Sequence, residues 1–233
     1  APYDAPQTEF EIEFFDNIEQ FSFYTTLNAV LLKYLYKDIP TLKKEGQYKD
    51  IVKYLLSEDG LNYGQLPKGL LLFHRYNEGV RTAVEEHLVE GAEYAKMHDN
   101  VVNLHFTVSG EHREFFENLL NKLVPKYADK YKVTYNISFS EQKSSTDTIA
   151  VDLKNEPFRV DGEILFRPGG HGALIENLND LRSEVVFVKN IDNIVPDHLK
   201  PITRIYKQVI AGVLVEHQQQ IFDYLDLLES GKY

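Results

Sequence analysis

From Leu61 onward, strand-length apolar runs alternate with helix-length amphipathic stretches, and this pattern constrains the fold more than any other feature. Val101–Val108 is a run of the buried type, and Val133–Phe139 puts Val133, Tyr135, Ile137 and Phe139 on one face with period two. Thr148–Val151 and Gly162–Phe166 read as two more strands, with Asp161-Gly162 as a hairpin turn between Phe158 and Ile164. Val185–Val188 reads as the plainest strand of all. Helices fill the intervals. Thr82 can cap one whose face is Val84, Leu88, Ala92 and Ala95, and Glu111–Leu123 is another with acids in its first turn. A third opens at Pro168–Gly172 and runs to Leu181, and Leu199–Leu228 closes the chain. Strands joined through helices pair in parallel, because a parallel connection must cross back over the sheet. The expected class is therefore α/β, with a three-layer, mainly parallel sheet over residues 61–233.

Residues 1–60 read as a helical subdomain or insertion. Phe14-Phe15, Ile18, Phe21, Leu27, Val30-Leu31 and Leu35 recur at three- and four-residue steps. Asp38-Ile39-Pro40 breaks the run, and a short helix over Tyr48–Leu56 follows, ended by Glu58-Asp59-Gly60. Phe10–Phe14 also alternates with period two, so a strand competes with the helix expected there.

Composition narrows the function classes. A net charge of −11 argues against nucleic acid as a partner, since phosphate-backbone binding needs a clustered basic face. A small anionic ligand is still allowed, because one lysine and a few backbone N–H groups can hold a phosphate. No apolar run approaches a membrane span, and the chain has no cysteine, which fits a cytoplasmic protein. The eight histidines are scattered and form no HxxxH or HExxH pair, so a zinc centre is not expected. Ala1 is not an initiator methionine, so a processed product or a fragment is expected.

Four places carry residue types suited to ligand chemistry. In Arg167-Pro168-Gly169-Gly170-His171-Gly172, glycines precede a helix start, where the main chain can approach a ligand closely, take up positive φ and offer unpaired N–H groups. The competing reading is a tight turn with no ligand. Asp192 follows the expected strand Val185–Val188, at the strand end where open α/β sheets bind ligands, and its carboxylate suits Mg²⁺. It would serve equally as an Asx-turn or cap before Pro196. In Pro67-Lys68-Gly69 the turn aims a point charge suited to an oxyanion, against the plainer reading of a solvated turn lysine. Gln142, at a strand end, carries an amide that both donates and accepts and so can read the edge of a nucleobase.

In order, these segments resemble an uncharacterised bacterial family, the domain of unknown function numbered 4301. The matching stretches are Leu61–Leu70, Glu85–Ala92, Phe166–Ala173 and Lys189–Asn193. More distantly, the series is similar to UDP-sugar pyrophosphorylases, of the Rossmann-like nucleotidyltransferase fold. The similar elements are Pro67-Lys68-Gly69, Thr107-Val108-Ser109 with Phe115-Phe116, Ser138–Gln142, the Pro168–Gly172 loop and Ile191-Asp192-Asn193. This resemblance implies that Lys68 holds phosphates as the catalytic lysine. It further implies that Gln142, Gly169, Gly170, His171 and Gly172 hold the uracil and that Asp192 holds Mg²⁺, around one cleft. The implied partner is a small-molecule nucleotide or sugar phosphate. Such enzymes join a sugar 1-phosphate to a nucleoside triphosphate by in-line attack at the α-phosphorus, mainly through positioning and charge neutralisation. Residues 1–67 contain no G-x-G-T-R-like segment to wrap the triphosphate. The expected domain is thus one that lacks its N-terminal strand and phosphate loop. A non-catalytic nucleotide- or sugar-binding module is the alternative.

Overall fold

The computed structural model describes Pro6 and residues 8–231. The chain divides into two compact units, one of Ala1–His87 with Asn190–Pro196, the other of Leu88–Lys189 with Asp197–Tyr233.

The first unit begins with four helices, α1 (Glu9–Asp16), α2 (Tyr24–Leu35), α3 (Ile39–Lys44) and α4 (Tyr48–Leu56). The ambiguous Phe10–Phe14 segment is helical because Thr8 and Glu11 form a capping box at its start. α2 ends at Tyr36, which takes the left-handed conformation with φ 57°, and Asp38 starts α3. Its side chain accepts from the Thr41 N–H at 2.8 Å, and Pro40 sits in the first turn of α3, where its missing N–H costs nothing. Ile18, Leu27, Leu31, Ile39, Leu42 and Ile51 are almost fully buried together as the helical core. The antiparallel hairpin of β1 (Leu72–Tyr76) and β2 (Gly79–Thr82) follows, and Leu72 packs against that core.

Directly after β2 comes α5 (Ala83–Tyr94), capped as expected by Thr82, whose hydroxyl accepts from the Glu85 N–H at 3.3 Å. In the second unit β3 (Val101–Thr107), α6 (Gly110–Tyr131) and β4 (Thr134–Ser140) make one βαβ unit, its strands parallel in continuous register from Val101↔Thr134 to Thr107↔Ser140. The even positions of β3 and the odd ones of β4 are apolar, whereas the opposite face is an interlocked polar ladder. There Asn136 donates to Asn103 at 3.1 Å, and the two His105 ring nitrogens lie 2.8 Å from the Ser138 and Ser140 hydroxyls. Helix α6 runs past the expected end at Leu123 and through Pro125. Burial of Tyr127 beyond that point offsets the roughly 3 kcal/mol that an interior proline costs.

The rest of the expected sheet is reduced to short pairings. β5 (Thr148–Ile149) pairs antiparallel with β8 (Phe166–Arg167), and β6 (Arg159–Val160) with β7 (Glu163–Ile164). The β6–β7 turn is the expected Asp161-Gly162 hairpin, with φ of 52° and 89°, the double left-handed geometry of a type I′ turn. The fold is thus mixed α/β, but among the described residues it has four two-stranded sheets, one of them parallel, and not an assembled three-layer sheet. Val185–Val188 is the clearest correction, since it forms no strand. Exposure alternates along this stretch, and a strand requires a hydrogen-bonded neighbour that these residues do not have in the described fold. The helix after the glycine loop is also shorter than expected, a 3₁₀ turn over His171–Leu174 leading into α7 (Ile175–Asn179). α8 (Lys200–Glu229) ends the chain as anticipated.

Candidate functional site

Within the first unit, Lys68 and Asp192 meet. Pro67 leads into a 3₁₀ turn, Lys68–Leu70, in which Gly69 and Leu70 are buried and Lys68 points outward. Asp192 sits in a turn closed by the Asn193 N–H on the Asn190 carbonyl, at 3.0 Å. A His87 ring nitrogen lies 3.0 Å from the Ile191 carbonyl, tying this turn to the start of α5. Lys68 Nζ donates to Asp192 Oδ2 at 2.6 Å, across 124 residues of sequence. The Lys68 side chain is 68% exposed and that of Asp192 35%, so the pair is open to a ligand and is itself worth no more than about 1 kcal/mol.

Within the second unit, Gln142 and the glycine loop lie on neighbouring segments. Gln142 Nε2 donates to Asp147 Oδ1 at 3.3 Å, and the next residue, Thr148, is paired with Arg167 at the mouth of the glycine loop. A Cβ on Gly169 would stand 2.9 Å from the Thr146 carbonyl oxygen and 2.9 Å from Ala173 Cβ, so glycine is required there by close approach. Gly170 and Gly172 face open space, and His171 is exposed. Positive φ is not used: Gly170 has φ −72°, and neither Gly169 nor Gly172 is left-handed. The expectation that these glycines take up positive φ is therefore corrected to one steric requirement, at Gly169.

Two buried charge networks escaped the sequence reading. In the first unit Glu86 has a fully buried side chain, which accepts from the Tyr76 hydroxyl at 2.6 Å. It also lies 3.0 Å from His74 Nδ1 and 3.5 Å from an Arg81 nitrogen. Arg81 is itself buried and stacks 4.0 Å over the Tyr76 ring. In the second unit Glu90 pairs with Lys189 and accepts from the Tyr94 hydroxyl at 2.9 Å, while its other oxygen is buried without a hydrogen bond. Burial, reinforced by the Glu90 charge, pushes the Tyr94 phenol upward. The available signal was the spacing of Glu86 and Glu90, one turn apart in a helix whose Val84, Leu88, Val89 and Ala92 are all buried.

The comparison with protein families bears on this architecture as a whole. The family described as a domain of unknown function, DUF4301, matches residues 2–233. The chain belongs to DUF4301. Neither the curated proteins nor the solved structures include a match. As a DUF4301 domain, it carries both the Pro67-Lys68-Gly69 turn and the Asp192 turn within the matched region. Among its described residues no helix is long and apolar enough to cross a membrane.

As for a metal, Asp192 would supply one carboxylate, about a third exposed, beside a cationic side chain. That donor set fits Mg²⁺, which takes one or two protein carboxylates and completes its shell with water and phosphate oxygens. It does not fit a dedicated all-protein cage for a softer metal, which would need three or four converging ligands.

Proposed function

We propose that this DUF4301 domain binds a nucleotide or sugar phosphate, with Lys68 on the phosphate and Asp192 at the accompanying Mg²⁺, in the manner of a UDP-sugar nucleotidyltransferase. The observation that carries this reading is the 2.6 Å contact of Lys68 with Asp192, which joins two residues that residue chemistry had singled out separately. In the resting state the two charges neutralise one another. A phosphate would draw the lysine, and a hard cation would take the carboxylate, so each component of the ligand satisfies one partner of the opened pair. The parallel β3–α6–β4 unit is the element of the second unit that a nucleotidyltransferase-like fold would share.

The second reading is a binding module without catalysis. It is favoured by the helices that occupy Glu9–Leu56, because a triphosphate-wrapping loop would follow a strand ahead of Lys68. Calorimetric titration of UDP, UTP and UDP-sugars, with and without Mg²⁺, tests the binding claim common to both. Lys68→Ala should weaken binding by about 10- to 100-fold, the loss expected of a hydrogen bond to a charged group. Asp192→Asn should remove only the gain from Mg²⁺. Absence of heat with the unmodified protein, or variants that bind as it does, would reject the site. Pyrophosphate release from UTP with a sugar 1-phosphate then separates enzyme from module.

A further inference from the structure

We propose that His87 is a positioning residue for the Lys68–Asp192 site: its ring N–H sets where Asp192 stands, and the first turn of α5 is the ruler between the two charged groups. The inference rests on the phosphate-and-cation reading of that pair given above. His87 Nε2 lies 3.0 Å from the Ile191 carbonyl oxygen. A carbonyl only accepts, so Nε2 carries the proton and donates it. Asp192 is thereby held from the residue before it, and from its other side by Ile194, which is buried. The histidine acts through the main chain, one residue from the carboxylate.

The lysine hangs from the same helix start. The Leu71 N–H donates to the Lys68 carbonyl at 3.2 Å, and the Leu71 carbonyl accepts at 3.1 Å from the N–H of Ala83, the first residue of α5. Gly69 and Leu70, buried between these points, keep the Lys68 turn from shifting. Ala83 and His87 are one helical turn apart, about 6 Å along the axis, so a single turn of α5 spaces the two anchorages. That turn is itself fixed. Every residue from Arg81 to Glu86 is buried, and Glu86 accepts from the Tyr76 hydroxyl at 2.6 Å while facing Arg81 and His74. His87, the next residue, is half-buried and reaches outward to the Asp192 turn. Two exposed side chains on backbones fixed in this way keep their spacing when a ligand parts them.

Two readouts test the role. In the ligand-free protein, hydrogen exchange of the Asn193 amide, which closes the Asp192 turn on the Asn190 carbonyl, should quicken about 5- to 10-fold in His87→Ala, the worth of one hydrogen bond. His87→Gln should restore the parent rate, because its amide nitrogen stands as many bonds from Cα as the histidine Nε2. In calorimetric titrations with UTP, the affinity gained from Mg²⁺ should fall by the same factor in His87→Ala and return in His87→Gln. UTP binding without Mg²⁺ should stay within about twofold of the parent, since the lysine turn is untouched. A parent that binds no UTP, or binds it no tighter with Mg²⁺, rejects the reading of Lys68 and Asp192 and this role with it. Where the parent does gain from Mg²⁺, the positioning role alone is overturned by a His87→Ala that gains as much, by one that loses both titrations alike, by an unchanged Asn193 rate, or by a His87→Gln that recovers nothing.

Discussion

Replacing Glu86 by alanine should destabilise the first unit by about 3 kcal/mol, within the 3–5 kcal/mol range for breaking a buried ion pair. The carboxylate is fully buried and faces a buried guanidinium at 3.5 Å, so its removal leaves the Arg81 charge in a low-dielectric setting and takes the acceptor from the Tyr76 hydroxyl. Glu78, 70% exposed and 4.0 Å from Arg81, recovers part of the loss, as does the better helix propensity of alanine, which places the effect at the lower end. Glu86→Gln keeps an acceptor for Tyr76 but loses the charge, and should cost about half as much. With no tryptophan in the chain, urea unfolding is best followed by circular dichroism, and protection of the β1 and β2 amides against hydrogen exchange localises the effect. For a chain of this size the melting temperature should fall by about 6–12 °C. The paired change Arg81→Met with Glu86→Leu should recover most of the loss, because it removes both charges. If Glu86→Ala costs less than about 1 kcal/mol, or the paired change is no better, the carboxylate does not neutralise Arg81 in the fold.

Gly169→Ala should destabilise by about 1–3 kcal/mol through contact with Thr146 and Ala173. Gly170→Ala, with φ −72° and open space around it, should be neutral within about 0.5 kcal/mol in the same urea titration. Burial holds the His105 imidazole below its ordinary value, so its neutral form is favoured in the fold. The stability it contributes is present above about pH 6.5 and is lost as pH falls through the lowered value, and His105→Asn should flatten that part of the stability profile. Glu93 behaves oppositely. Burial raises its carboxyl, helped by Asp197 and Glu90 and opposed by Lys200 and Arg204, so stability falls as pH rises through the raised value, and Glu93→Gln should be more stable than the parent at pH 7.

Periodicity was a sound guide wherever local amphipathicity decides the structure. Tyr48–Leu56 is a helix over the expected bounds because Ile51 and Leu55 lie one turn apart and both reach the core. β3 and β4 were legible because their alternation separates a buried face from a polar one. Val185–Val188 shows the opposite case. Apolar residues permit a strand, but only a partner makes one, and pairing is not a local property. The same reason keeps the short β5–β8 pairings from adding up to a sheet. For the candidate site, chemistry pointed to Lys68 and Asp192 individually, yet the strand-end geometry used to argue for Asp192 is absent, and what holds it is a turn tied to His87. Glu86 and Glu90 were passed over because acids on a helix usually mark a solvated face. Here Arg81, Tyr76 and Tyr94, near in sequence, and Lys189, 99 residues from Glu90, make their burial tolerable.

The central claim is that the Lys68–Asp192 pair opens to receive a metal-bound phosphate. Its most direct test is the anomalous difference map of crystals grown with UTP and Mn²⁺, the latter standing in for Mg²⁺. The account predicts a manganese peak about 2.1 Å from an Asp192 carboxylate oxygen, with Lys68 Nζ moved onto a phosphate oxygen at about 2.8 Å. Well-ordered UTP elsewhere in the molecule, with the Lys68–Asp192 contact still closed at 2.6 Å and no manganese beside it, would contradict it.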